Sequence, residues 1–115
     1  MRIAIVGTRS KLSAHEASVI NNRINETSPD TVIVTGDCPT GVDSFVADCC
    51  KGFRTLIVCH AAWETHKLSA GPIRNAEIAD IANMVLAFPR GISKGTRGCV
   101  KLFCDAGKPH EVVEL

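Results

Sequence analysis

Met1-Arg2-Ile3-Ala4-Ile5-Val6-Gly7-Thr8-Arg9-Ser10 opens the chain, and within it four apolar residues in succession, Ile3 to Val6, run into a glycine and a polar loop. A strand with one wet side alternates apolar and polar residues, whereas a strand covered on both sides is apolar throughout. This run is of the second kind and predicts a parallel sheet with helices on both faces. The unit recurs downstream. Thr31 to Thr35 is β-branched throughout and closes on Gly36; Thr55 to Cys59 reads as a third strand; Met84 to Phe88 ends at Pro89-Arg90-Gly91. Glu111 to Leu115 reads as a fifth strand at the sheet edge.

Helical patterns fill the intervals. Ser13 and Glu16 have the spacing of a capping box, after which Ala14, Ala17, Ile20 and Ile24 recur at helical intervals until Ser28-Pro29-Asp30 turns the chain. Val42, Phe45, Val46 and Cys49 mark one face of a second helix. Gly71-Pro72 opens a third, since proline suits a first turn, and it runs to about Ala82. Gly95-Thr96 leads a last helix through Ala106, stopped by Gly107 and Pro109. The stretch His60 to Ala70 is polar and irregular, which makes it a candidate binding loop. Strands separated by helices imply right-handed crossovers. The fold class expected is therefore α/β: a Rossmann-like three-layer sandwich of about five mostly parallel strands, residues 1–115 forming a single domain.

Composition narrows the function classes. Of the 115 residues 45% are hydrophobic and 22% charged, an ordinary globular balance rather than a disordered one. With four Phe, one Trp and no Tyr, the core must be built from Ile, Val, Leu, Ala and Cys. A formal charge of +1, with basic residues scattered among acids, leaves no footprint for a nucleic acid polymer or an anionic membrane. No apolar stretch approaches the ~20 residues of a membrane span. The N-terminus lacks the features of a secretion signal, so a soluble, cytoplasmic protein is expected. Cys38, Cys49, Cys50, Cys59, Cys99 and Cys104 form no C-x-x-C pair, and reduced thiols are the expectation. Cys59-His60 with His66 is a weak metal-like cluster, and neither metal nor cofactor is expected.

The polar residues concentrate after the strands. Gly7, Thr8, Arg9 and Ser10 follow the first; Gly36, Asp37, Gly41 and Asp43 follow the second; Trp63, Arg74 and Asn75 follow the third; Pro89, Gly91, Gly95 and Thr96 follow the fourth. In this architecture all four groups gather on one edge of the sheet, where such folds bind ligands. Glycines there admit close backbone approach, the helix start at Gly95-Thr96 points free N–H groups and a positive dipole end, and Arg9 and Arg74 offer paired donors to phosphate. Asp43 is placed to accept from ribose hydroxyls, and Trp63 offers a flat face for a base. Blander roles compete: Thr40 and Asp43 as a helix-capping pair, Trp63 as packing. Neither Gly-x-Gly-x-x-Gly nor Gly-x-x-x-x-Gly-Lys-Ser/Thr is present, which disfavours ordinary dinucleotide binding and a P-loop ATPase.

Gly7-Thr8-Arg9, Thr35-Gly36 with Thr40-Gly41-Val42-Asp43, Ala70-Gly71-Pro72-Ile73-Arg74-Asn75, and Leu86-Ala87-Phe88-Pro89 followed by Gly95-Thr96 together resemble the SLOG superfamily, most closely its YspA-like (cpYpsA-related) branch. The likeness covers nearly the whole chain, and the Ala-Gly-Pro-Ile-Arg-Asn block is its most specific part. It implies a Rossmann-like fold that binds nucleotides or nucleotide-derived signals, a homodimer, and a bacterial or phage source. The related LOG enzymes cleave the N-glycosidic bond of nucleoside 5′-monophosphates with a Pro-Gly-Gly-x-Gly-Thr-x-x-Glu signature and an arginine on the preceding helix. Arg74 matches that arginine, but Cys99 stands where the glutamate belongs. An oxocarbenium-like state needs a carboxylate beside it, which cysteine does not supply. Binding of a nucleotide or nucleotide-derived phosphate ligand is thus the leading expectation. Phosphoribohydrolase activity is the alternative, with Asp43 and Arg74 as catalytic candidates and Asp37 or Glu77 as substitute acids.

Overall fold

β1 (Arg2–Gly7) lies at the centre of a five-stranded sheet in the order β3-β2-β1-β4-β5, in a computed structural model that describes residues 1–115. Its neighbours are β2 (Val32–Thr35) and β4 (Met84–Phe88), with β3 (Leu56–Val58) and β5 (His110–Val112) at the edges. Every pairing is parallel; Ile3 sits opposite Ile33 on one side, and Ile5 sits opposite Leu86 on the other. The connections are α1 (Ala14–Glu26), α2 (Val42–Cys50), α4 (Ala70–Ile81) and α5 (Lys94–Asp105), with a short α3 (Trp63–His66) before α4. This is the Rossmann-like sandwich.

The uninterrupted apolar run of β1 explains the two cores. Ile3 and Ile5 point to one face and meet Ile20 and Ile24 of α1 and Val42 and Val46 of α2. Ala4 and Val6 point to the other and meet Ile78 of α4 and Cys99 and Phe103 of α5. Ile5 is fully buried, so truncating it to Ala costs about 2–5 kcal/mol. The α4/α5 side is lined by Ala4, Ala79, Ala82 and Ala87, whose small side chains let those helices ride close to the sheet.

Local chemistry sets the element ends. The Ser13–Glu16 capping box is formed in both directions. At the opposite edge, cations close helix ends: Arg54 donates to the carbonyls of Ile24, Thr27 and Ser28 at the end of α1, and Lys108 Nζ donates to those of Ala79 and Ala82 at the end of α4. No helix is long and apolar enough to cross a membrane.

Four expectations need correction. The stretch His60 to Ala70 is not an irregular loop; it carries α3 and a 3-10 turn over Lys67–Ser69. Pro72 falls third in α4, where its missing N–H would be unpaired anyway. The buried face of α2 is Val42, Asp43, Val46 and Cys50, with Phe45 and Cys49 only half-buried beside it. β5 is His110–Val112 rather than 111–115, although the Val113 and Leu115 amides continue to bond Ala87 and Pro89 carbonyls.

Candidate functional site

The chain doubles back across the sheet between β3 and β4, so the connections leaving β1 and β4 diverge and a crevice opens beyond their carboxyl ends. A cavity of about 840 Å³ occupies it. Gly7, Thr8, Arg9 and Ser10 line one side, Gly36 and Asp43 the inner end, and Trp63, Arg74 and Asn75 the α4 side; Gly95 and Thr96 stand across from them. Arg9, Arg74 and Thr96 therefore border one space. The other four expected residues, Asp37, Gly41, Pro89 and Gly91, stand behind it.

Those four act as supports. Gly41 has a positive φ of 76°, and a Cβ there would sit 2.7 Å from the Arg9 carbonyl carbon. It lets the loop before α2 press against Thr8-Arg9, where the Val42 amide donates to Thr8 O and the Thr40 hydroxyl to Arg9 O. The N-cap of α2 is Gly41 with no side-chain hydrogen bond, so Thr40 and Asp43 are not a capping pair. Pro89 is buried, and Gly91 O accepts from Arg97. Asp37 accepts from Arg74 Nη1 at 2.9 Å and from the Ala61 amide at 3.1 Å.

Arg74 is the inner anchor. Its side chain is only 8% exposed. Asn75 Oδ1 accepts from its Nε and Asp37 Oδ1 from its Nη1, leaving the Nη2 protons of a five-donor guanidinium uncommitted. Because no buried polar side-chain atom lacks a partner, Nη2 reaches the cavity. Gly36 makes room: a Cβ there would lie 2.5 Å from Arg74 Nη1 and 2.6 Å from Asp43 Oδ2.

Asp43 is buried, and desolvation pushes its carboxyl above the usual carboxylate range, against the pull of the Cys38 amide and the nearby Arg74 charge. Thr35 Oγ1 lies 2.7 Å from Ile5 O and 3.2 Å from Asp43 Oδ1. One hydroxyl proton serves both, and the shorter bond to Ile5 O takes most of it, so Thr35 offsets only a little of the desolvation that raises the Asp43 pKa. It is the one carboxylate in the lining, against Arg9, Arg74, Arg90 and Lys94.

The outer rim holds features that the sequence reading missed. The Arg9 guanidinium lies over the Trp63 ring, 5.8 Å from its centroid, so that face of Trp63 is already covered. Lys94 and Leu68 also line the cavity, as do Ile78, Gly98, Cys99 and Leu102 on the facing sides of α4 and α5. The periodicity of Gly95, Gly98, Cys99 and Leu102 was the available signal for the last group. Ser93 precedes α5 in left-handed geometry (φ 40°) and gives no side-chain cap to its first turn. Its hydroxyl bonds the Arg90 backbone instead. Arg90 itself turns away, donating to Glu16 Oε1 and Lys11 O.

The thiols add no negative charge here. Burial pushes Cys99 up to about 12 and, helped by Glu77, Cys59 up to about 11. No three His, Cys, Asp or Glu side chains come together as a metal site. His60 Nδ1 lies 3.4 Å from Asp37.

A 61-residue stretch is 43% identical to the "Gene 61 protein" of Mycobacterium phage D29, covering 51% of this chain and 49% of that protein. The match thus spans about half the length of the relative. No family model and no solved structure matches the chain.

Proposed function

We propose that this chain binds a nucleotide or nucleotide-derived phosphate ligand in the cavity beyond β1 and β4, sensing or sequestering a nucleotide signal as a SLOG-type domain. The observation that carries the reading is the charge and donor pattern of that cavity: Arg9, Arg74 and Lys94 face it against one lining carboxylate, Asp43, whose pKa burial raises. Arg9, Lys94 and the uncapped first turn of α5 present donors to a phosphate at the rim, and Arg74 Nη2 offers a further donor for another part of the ligand at the inner end. Guanidinium forks and free helix N–H groups favour a multiply charged oxyanion over a neutral guest. The likeness to a phage protein agrees with a phage source.

Calorimetry against nucleoside mono-, di- and triphosphates and cyclic dinucleotides tests this. Micromolar to sub-millimolar binding is expected, with Arg9→Ala weakening it at least 10-fold, as loss of a charge-assisted contact of about 1.5–3 kcal/mol requires. Absence of binding at millimolar ligand refutes it.

The buried, cavity-lining Asp43 favours a second reading, hydrolysis of the N-glycosidic bond with Asp43 as the acid. Chromatography of nucleoside monophosphates after incubation decides between substrate and signal: released base that disappears in Asp43→Asn supports hydrolysis.

A further inference from the structure

The cavity extends from its charged rim as an open slot between α4 and α5, on whose α5 side Gly95 and Gly98 are exposed. Gly71 and Ile78 line it from one helix, and Gly95, Gly98 and Leu102 from the other. Glycine inside a helix is unfavourable by about 1 kcal/mol relative to alanine, so its presence needs a reason. Close helix contact is not that reason. A Cβ built on Gly95 or Gly98 meets nothing within 4 Å, and one on Gly71 meets only the edge of Trp63, at 3.6 Å. The helix glycines leave open space along a bare backbone wall. At the inner end Arg74, more than nine-tenths buried, holds Nη2 without a partner toward the same space.

We infer that this slot is the subsite for the planar ring of the ligand, a nucleobase lying against the Gly95–Gly98 wall of α5 with a hydrogen-bond acceptor toward Arg74 Nη2. The inference rests on the nucleotide reading above and adds the place of the base. A flat aromatic ring is the ligand group that gains most from a bare wall, because a single Cβ would hold it off. The Trp63 face is a poorer platform, since Arg9 covers it. The rim of Arg9 and Lys94 then takes the phosphate.

Gly98→Leu tests this in the full chain, with Gly98→Ala as its mild partner. Calorimetry is run with AMP, GMP, CMP and UMP, and with ribose 5-phosphate, which has the same phosphate and no base. Wild type should prefer at least one of the four nucleotides to ribose 5-phosphate by 10-fold or more. Gly98→Leu should erase that preference while leaving ribose 5-phosphate within 2-fold of wild type. Gly98→Ala should raise Tm by about 3–6 °C, since it relieves the helix penalty and meets no neighbour, and should weaken the preferred nucleotide. If Gly98→Leu keeps the full preference, or wild type binds all four nucleotides no better than ribose 5-phosphate, the slot is not the base site, although the phosphate site stands. If wild type binds neither nucleotide nor ribose 5-phosphate, the nucleotide reading fails and takes this inference with it.

Discussion

Replacing Gly36 by Ala puts a methyl group where the inner end of the cavity has no room. The added Cβ would lie 2.5 Å from Arg74 Nη1, 2.9 Å from Arg74 Cζ and 2.6 Å from Asp43 Oδ2. Two of these atoms belong to the end of a long side chain, which in solvent would swing aside. Here Arg74 is pinned by Asp37 and Asn75, and its movement breaks the 2.9 Å bond to Asp37. A charge-assisted hydrogen bond contributes about 1.5–3 kcal/mol, and an extra methyl in a filled interior costs about 1–3 kcal/mol. Partial relaxation brings the expected loss to about 2–4 kcal/mol, since the two effects share one movement. For a domain of this size that lowers Tm by roughly 6–20 °C. Circular dichroism melts of Gly36→Ala and wild type at pH 7 read it directly, and nucleotide titration of the folded variant should show weakened binding because Arg74 has moved. A Tm within about 2 °C of wild type, with ligand affinity intact, would refute the packing of Arg74 and Asp43 against the Gly36 backbone.

Two further outcomes concern pH. Asp43 has a folded-state pKa above its unfolded value, so the folded state holds the extra proton and stability declines as pH rises from about 4 through the raised pKa. Asn mimics the neutral acid toward Thr35 and Cys38, so Asp43→Asn should flatten that decline in a Tm-versus-pH series; a steeper decline contradicts the assignment. Glu16 behaves oppositely, its pKa lowered to about 2 chiefly by the Arg90 hydrogen bond and then by the Ser13 amide. Its contribution is complete above the ordinary value of 4.5 and is lost as pH falls toward 2. Glu16→Gln should lower Tm at pH 7 and flatten the acid limb between those values; identical acid limbs in the two proteins would remove Glu16 from the account.

Much of the fold was legible because burial on both faces writes itself into sequence as unbroken apolar runs. Ile3 to Val6 and Met84 to Phe88 are central strands bounded within a residue or two of where their patterns place them. The third and fifth strands came out shorter, although the residues beyond them, Thr55 and Cys59 at β3 and Val113 and Leu115 at β5, still make single backbone bonds to the neighbouring strand or just past its end. The face of α2 was misread because its pattern treats Asp43 as polar and therefore outward. Its carboxyl turns inward to Thr35 and the Cys38 amide, at the strand end and in the loop before the helix, which helical periodicity alone does not weigh. For the site, the sequence named loops correctly as neighbours but not which way each residue looks. Asp37, Gly41, Pro89 and Gly91 share loops with lining residues, but the first three turn to the scaffold and Gly91 to solvent. Leu68 was hidden inside a stretch read as irregular. Gly98 was passed over because a glycine in a helix reads as a weak point rather than as a space.

Arg54 and Lys108 have an effect far from where they sit. By covering the carbonyl ends of α1 and α4 they quench negative poles at the floor of the molecule, while the amide ends of α4 and α5 at the top receive no side-chain cap. A chain of formal charge +1 thereby acquires an oriented field without an excess of lysines. On the proposed nucleotide reading, added salt should weaken binding only mildly, because the guanidinium groups and helix amides would act at contact range rather than as a diffuse cloud of charge.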